Sequence, residues 1–183
     1  MPVLRDESGT VYTLSSAINP LIAPSETGVF ELKAKAKKLV EKPLSKQGAS
    51  EIYKYIPPQM EAYCEKRELI PTVAISYWSG CPEAVHKRVK KSLSPHTNGL
   101  GNNEVHFLFS GAIIIYLDNG HGQYALLLQP GDWIYIDGLS EAWPKLTHEK
   151  SFTLASYHSA PLTPIDEFHK DLKFTNTVAK PIL

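Results

Sequence analysis

Glu104 and His106 stand two residues apart in Asn103-Glu104-Val105-His106-Phe107-Leu108-Phe109-Ser110-Gly111, a run whose composition suits a β-strand. Side chains alternate across a strand, so Glu104, His106, Leu108 and Ser110 share one face while Val105, Phe107 and Phe109 share the other. A carboxylate and an imidazole therefore point the same way. Facing a closed interior, they are an acid and a base able to move a proton on one substrate, because imidazole titrates near neutrality. Facing outward, they are only a polar solvent face, and spacing alone does not separate the two readings. Tyr116, Trp133, Tyr135 and Tyr157 fall on neighbouring strand-like runs and suggest a pocket for a flat apolar molecule oriented by hydroxyls. The same aromatics serve equally as ordinary core packing.

The elements that must position these residues change character along the chain. The first 30 residues combine a short strand at 11–14 with the turn-forming Asn19-Pro20 and Ala23-Pro24-Ser25, and read as an arm laid over the core. Good helix formers with a lysine face follow over 30–42, a solvated helix. Pro57-Pro58 opens a helix over 58–69, a strand follows at 72–78, and Pro82 opens a second helix with Val85, Val89 and Leu93 along one side. From residue 104 short β-runs follow at 104–109, 112–117, 123–129, 133–136, 145–147 and 152–158, with Asp118-Asn119-Gly120 as a hairpin signal. Closely spaced strands of this kind predict a mainly β fold, an antiparallel barrel or sandwich with two or three peripheral helices. The tail, with one helical turn near 166–170, wraps the surface.

At 183 residues with 43% apolar and 21% charged residues, the chain fits a single globular domain, 1–183. Nineteen basic residues balance nineteen acidic ones, which gives no field for nucleic acid or an anionic membrane and points to a small molecule or another protein as partner. The start has no charged and apolar leader pattern, and the expected location is cytoplasmic. Cys64 and Cys81 form neither a CxxC nor a disulfide framework and are expected to be reduced. No GxGxxG, Walker-type loop or GxSxG elbow is present, and Asn98-Gly99-Leu100-Gly101 precedes a strand, unlike a phosphate cradle.

Glu104, six further residues and Gly111 match the end of the first cupin motif, and Gly131-Asp132-Trp133-Ile134-Tyr135-Ile136 resembles the strand that opens the second. With the upstream order of helix, strand and Cys81-Pro82-Glu83 helix start, the span 50–165 resembles acireductone dioxygenase, the methionine-salvage cupin. The resemblance implies a cupin-type antiparallel β-barrel. That family binds iron or nickel through His-x-His, a glutamate four residues on, and a third histidine. Glu104 matches the glutamate, but the paired histidine positions fall on Asn98 and Leu100, and the last ligand falls on Ala142, or on Trp143 with a one-residue shift. Asp137 stands where the motif has proline. The family's substrate-holding arginine, two residues after its glutamate, is His106 here.

A lone carboxylate cannot hold a catalytic iron or zinc, which takes about three protein ligands and an open position. The sequence therefore predicts no metal and no cofactor. His96, His106, His121, His148 and His158 could rebuild a site, with His96, Glu104 and His106 the favoured set, but none shows H-x-H or HExxH spacing. His86, His121, His148 and His169 read as surface residues. The expected function is a metal-independent cupin enzyme of small-molecule, specialised metabolism. Glu104 and His106 would transfer protons on a carbonyl-bearing or enolisable substrate in an isomerase, cyclase or lyase step, with Asn98, Tyr116, Trp133, Tyr135, Trp143 and Tyr157 as substrate contacts. The alternatives are a metal-dependent, acireductone dioxygenase-like oxygenase with a rebuilt iron or nickel site, and a non-catalytic small-molecule-binding or interaction protein. Homodimer formation through barrel strands fits any of these.

Overall fold

The computed structural model describes residues 1–92, 96–97, 103–148 and 150–159, with the side chains of 88, 90–92, 96 and 97 outside that description. The tail after 159, including the expected turn near 166–170, also lies outside it. Eleven strands are present among the described residues: β1 (Val3–Asp6), β2 (Val11–Tyr12), β3 (Glu26–Val29), β4 (Ile70–Tyr77), β5 (His96–Thr97), β6 (Glu104–Gly111), β7 (Ile113–Asp118), β8 (Gln123–Leu128), β9 (Asp132–Ile136), β10 (Glu141–Leu146) and β11 (Phe152–His158). They pair antiparallel in two sheets, one ordered β2-β1-β8-β7-β10-β5 and the other β3-β9-β6-β11-β4.

Alternation builds the layers. In β6, Leu108 joins an inner cluster with Ile113, Ile115, Leu117, Leu126 and Leu128 of the first sheet, so this core lies between the sheets. Val105, Phe107 and Phe109 of the same strand join a second cluster on the outer face. Helices α2 (Ala34–Leu39), α3 (Lys46–Glu51) and α4 (Pro58–Lys66), with a 3-10 turn at Ile52–Tyr55, cover that face through Ala36, Ile52, Ile56, Met60 and Cys64. Pro58 sits in the first turn of α4, and Met60 and Cys64 lie four apart on its buried side. Both cysteines are free and buried.

The structure corrects two expectations. The N-terminal segment is no arm: β1 pairs with β8 over Val3 to Asp6, β3 pairs with β9, and α1 (Ser15–Ile22) sends Ile18 and Ile22 into the inner core. β1 and β3, at four residues each, gave too little local periodicity to be read as sheet members. Helices number five among the described residues with α5 (Glu83–Ser92), more than the expected two or three. No helix among the described residues is long and apolar enough to cross a membrane.

Two glycines place the strand ends near the site. Gly111 closes β6 at φ +69°, where an added Cβ would run into the backbone oxygen of Ser151. Gly131, at φ +92°, donates its N–H to the Leu108 carbonyl and leads into β9, where Asp132 Oδ2 accepts from the Gln129 N–H.

Candidate metal centre

Cross-strand register assembles the site. His106 of β6 lies opposite Ser156 of β11, and Glu104 lies opposite His158. Directly opposed residues share a face. On the other side of β6, His106 faces Ile134 and Glu104 faces Ile136, both members of the inner core. Glu104, His106, Ser156 and His158 thus meet on the inner face, where β6 begins and β11 ends.

His106 is held at both ring nitrogens: Nε2 is 2.9 Å from Glu104 Oε2, and Nδ1 is 2.7 Å from Ser156 Oγ. The His158 ring stands perpendicular to that of His106, with centroids 6.0 Å apart. Glu104 and His158 are 7% and 5% exposed. Among the described residues, neither nitrogen of His158 has a hydrogen-bond partner, although both are buried. Desolvation pushes the His158 pKa down to about 4, against the pull of the Glu104 charge and with a smaller push from His106. The imidazole is therefore neutral at pH 7, with a lone pair available.

Buried imidazole nitrogens without partners are costly unless something occupies them. One ligand atom each from Glu104, His106 and His158 can be chosen so that all lie within 4.8 Å of one another. These three residues would hold a divalent ion through two imidazole nitrogens and a carboxylate oxygen. Two histidines and one carboxylate are the donor set of non-haem iron oxygenases and of some catalytic zinc sites. The residues fit a divalent metal.

No family model matches this chain, and no curated protein matches it in sequence. Among solved structures, acireductone dioxygenase from Bacillus anthracis with a cadmium ion in its active center superposes with a TM-score of 0.74, at 16% identity, covering 87% of this chain and 94% of that one. The chain has the acireductone dioxygenase fold. Hydroxypropylphosphonic acid epoxidase from S. wedmorenis and its fosfomycin complex align at 15% identity over 51% of this chain and 44% of theirs. Their TM-scores of 0.36 and 0.34 are too low to bear on the argument.

On the acireductone dioxygenase fold, the expectation of no metal and no cofactor is overturned. The superposed protein carries a metal, and here Glu104, His106 and His158 converge as a group that could hold one. The error lay in asking the histidines for H-x-H or HExxH spacing, when His158 reaches the pair across the β6–β11 ladder. Ala142 does face the inner core and offers no ligand, while Trp143 turns to the outer face. The backbone of His96 pairs with Ala142 in β5, but its side chain lies outside the described residues, as do Asn98 and Leu100.

The aromatic residues expected around the pair do not join it. Trp133, Tyr135 and Tyr157 lie in the outer cluster beneath the helices, on the face opposite Glu104 and His106. Tyr63 packs against Trp133, and Arg67 lies over the rings of Tyr63 and Tyr135. Tyr116 and Trp143 stack on the outer face of the other sheet, with centroids 5.6 Å apart. His121 and His148 are exposed, and His86 bonds to the Tyr77 hydroxyl. Two residues were missed: His158 as a member of the favoured set, and Ser156 altogether. Their signal was Ser156-Tyr157-His158 at strand period, which becomes meaningful only once β11 is known to pair with β6.

Proposed function

We propose that this chain is a metal-dependent cupin enzyme of small-molecule metabolism, an oxygenase acting on a carbonyl-bearing or enolisable substrate. Glu104, His106 and His158 would hold one divalent ion, iron or nickel. The observation that carries this reading is the buried His158 ring, neutral and without a hydrogen-bond partner among the described residues, beside a carboxylate and a second imidazole. The likeness in fold to a metal-carrying acireductone dioxygenase supports it. When bound, such an ion supplies Lewis-acid polarisation of a substrate oxygen and, as iron, a redox centre for dioxygen chemistry.

The chain's own residues do the rest. Glu104 brings the anionic charge that favours a divalent cation among apolar neighbours, and burial keeps His158 deprotonated as a ligand must be. Leu108, Ile134 and Ile136 on the same face limit water around the site and favour the uncharged part of a substrate.

Protein purified without a histidine tag and assayed for iron, nickel and zinc is expected to retain one ion per chain. His158→Ala is expected to lose it with the fold intact by circular dichroism, and dioxygen uptake with enolisable diketones is expected only in the loaded wild type. A wild-type protein that takes up none of these ions when they are supplied in excess sinks the reading.

A further inference from the structure

We propose that Ser156 is the positioning residue of this centre. Its hydroxyl holds the His106 ring with Nε2 aimed at the site in whichever tautomer the centre requires, so that metal uptake moves the ring proton from Nε2 to Nδ1. The inference rests on the metal reading and adds a residue and a proton movement to it. Ser156 Oγ lies 2.7 Å from His106 Nδ1, and Ser156 is 2% exposed, so water does not compete for that nitrogen from the serine side.

The chemistry follows from what each partner can offer. An ionised carboxylate only accepts, so without metal Nε2 carries the hydrogen and donates to Glu104 across 2.9 Å. Nδ1 is then the acceptor and takes the Ser156 O–H. A metal ion at Nε2 needs that lone pair, so the hydrogen must reside on Nδ1, where it donates to Ser156 Oγ. The ring gains and loses no net proton. A hydroxyl serves both states by rotating, because it donates and accepts; a carboxylate at this position would favour only the second state, and a lysine only the first.

The fold holds the serine in place from both sides. Ser156 sits directly opposite His106 in the β6–β11 ladder, and its carbonyl accepts from the Tyr53 hydroxyl at 3.1 Å. Tyr53 in turn packs edge-on against Tyr157, with centroids 5.4 Å apart. The ladder irregularity between Ser156 and Tyr157 on the β4 side adjusts the strand at this point. The helical cover is thereby tied, through one strand residue, to the orientation of a ligand.

The test uses zinc, which is diamagnetic, on metal-stripped full-length protein. Nitrogen-15 spectra of the imidazoles, with His106 assigned by comparison with His106→Gln, are expected to place its hydrogen on Nε2 without metal and on Nδ1 with zinc. A hydrogen on the same nitrogen in both states overturns the proposal using wild type alone. In competition titrations against a chelator, Ser156→Ala is expected to bind zinc about 10–100-fold more weakly than wild type and to lose the slowly exchanging Nδ1–H signal. Equal zinc affinity and an unchanged imidazole signature in Ser156→Ala overturn the role of the serine while leaving the metal reading standing. Zinc bound by neither protein overturns the metal reading, and this inference with it.

Discussion

His158 gains its properties from its surroundings, since an isolated histidine has a pKa of 6.5 and burial here takes it to about 4, with Glu104 opposing and His106 assisting. The sign of the consequence is fixed by linkage. Between those two values the unfolded chain binds a proton that the native chain refuses, so native stability falls as pH drops through this window. Above about 6.5 the penalty is absent, and below about 4 it is complete. For the metal-stripped protein the His158 contribution amounts to about 3 kcal/mol at most. Urea midpoints measured from pH 7 to 4.5 are expected to fall more steeply in the wild type than in His158→Leu. Parallel profiles would show that the imidazole is not desolvated as described.

The strand pair β6 and β11 is the unit that makes the centre, and its ends are set by backbone as much as by side chains. Gly111 allows β6 to turn at positive φ against the backbone of Ser151 and Phe152, a place no side chain can occupy. Gly111→Ala is expected to cost at least about 1–3 kcal/mol from the conformation alone, with the backbone clash in addition. The check is the midpoint of chemical denaturation, and a loss below 0.5 kcal/mol, about the ordinary surface range, would contradict this. Strand β9 shows why the pocket aromatics were misplaced. All five residues of Asp132–Ile136 are buried, so it has no polar face to orient it, and only its register against β6 sends Ile134 and Ile136 inward and Trp133 and Tyr135 outward. Glu104 and His106 were easier to place, because Val105, Phe107 and Phe109 left one face of β6 wholly apolar.

Across the whole molecule, the first thirty residues complete both sheets. β1 covers the edge of β8, and Leu4 is fully buried in the inner core. Deletion of residues 1–12 is expected to uncover that edge and yield aggregated or molten protein, read as loss of a sharp thermal transition and of a single peak in size-exclusion chromatography. A deletion protein that unfolds cooperatively at the wild-type temperature would restore the arm reading. By itself the sequence determined the antiparallel, mainly β plan, the two motif glycines, a helix opening at Pro58 and the shared face of Glu104 and His106, because turn chemistry and period-two alternation are local properties. Only the tertiary structure decided that His158 and Ser156 meet that pair, that five aromatics turn away from it, and that Glu104, His106 and His158 come together as a group that could hold a metal ion. Those facts depend on which strand lies beside which and in what register, and a pairing between residues some fifty positions apart leaves no trace in local spacing.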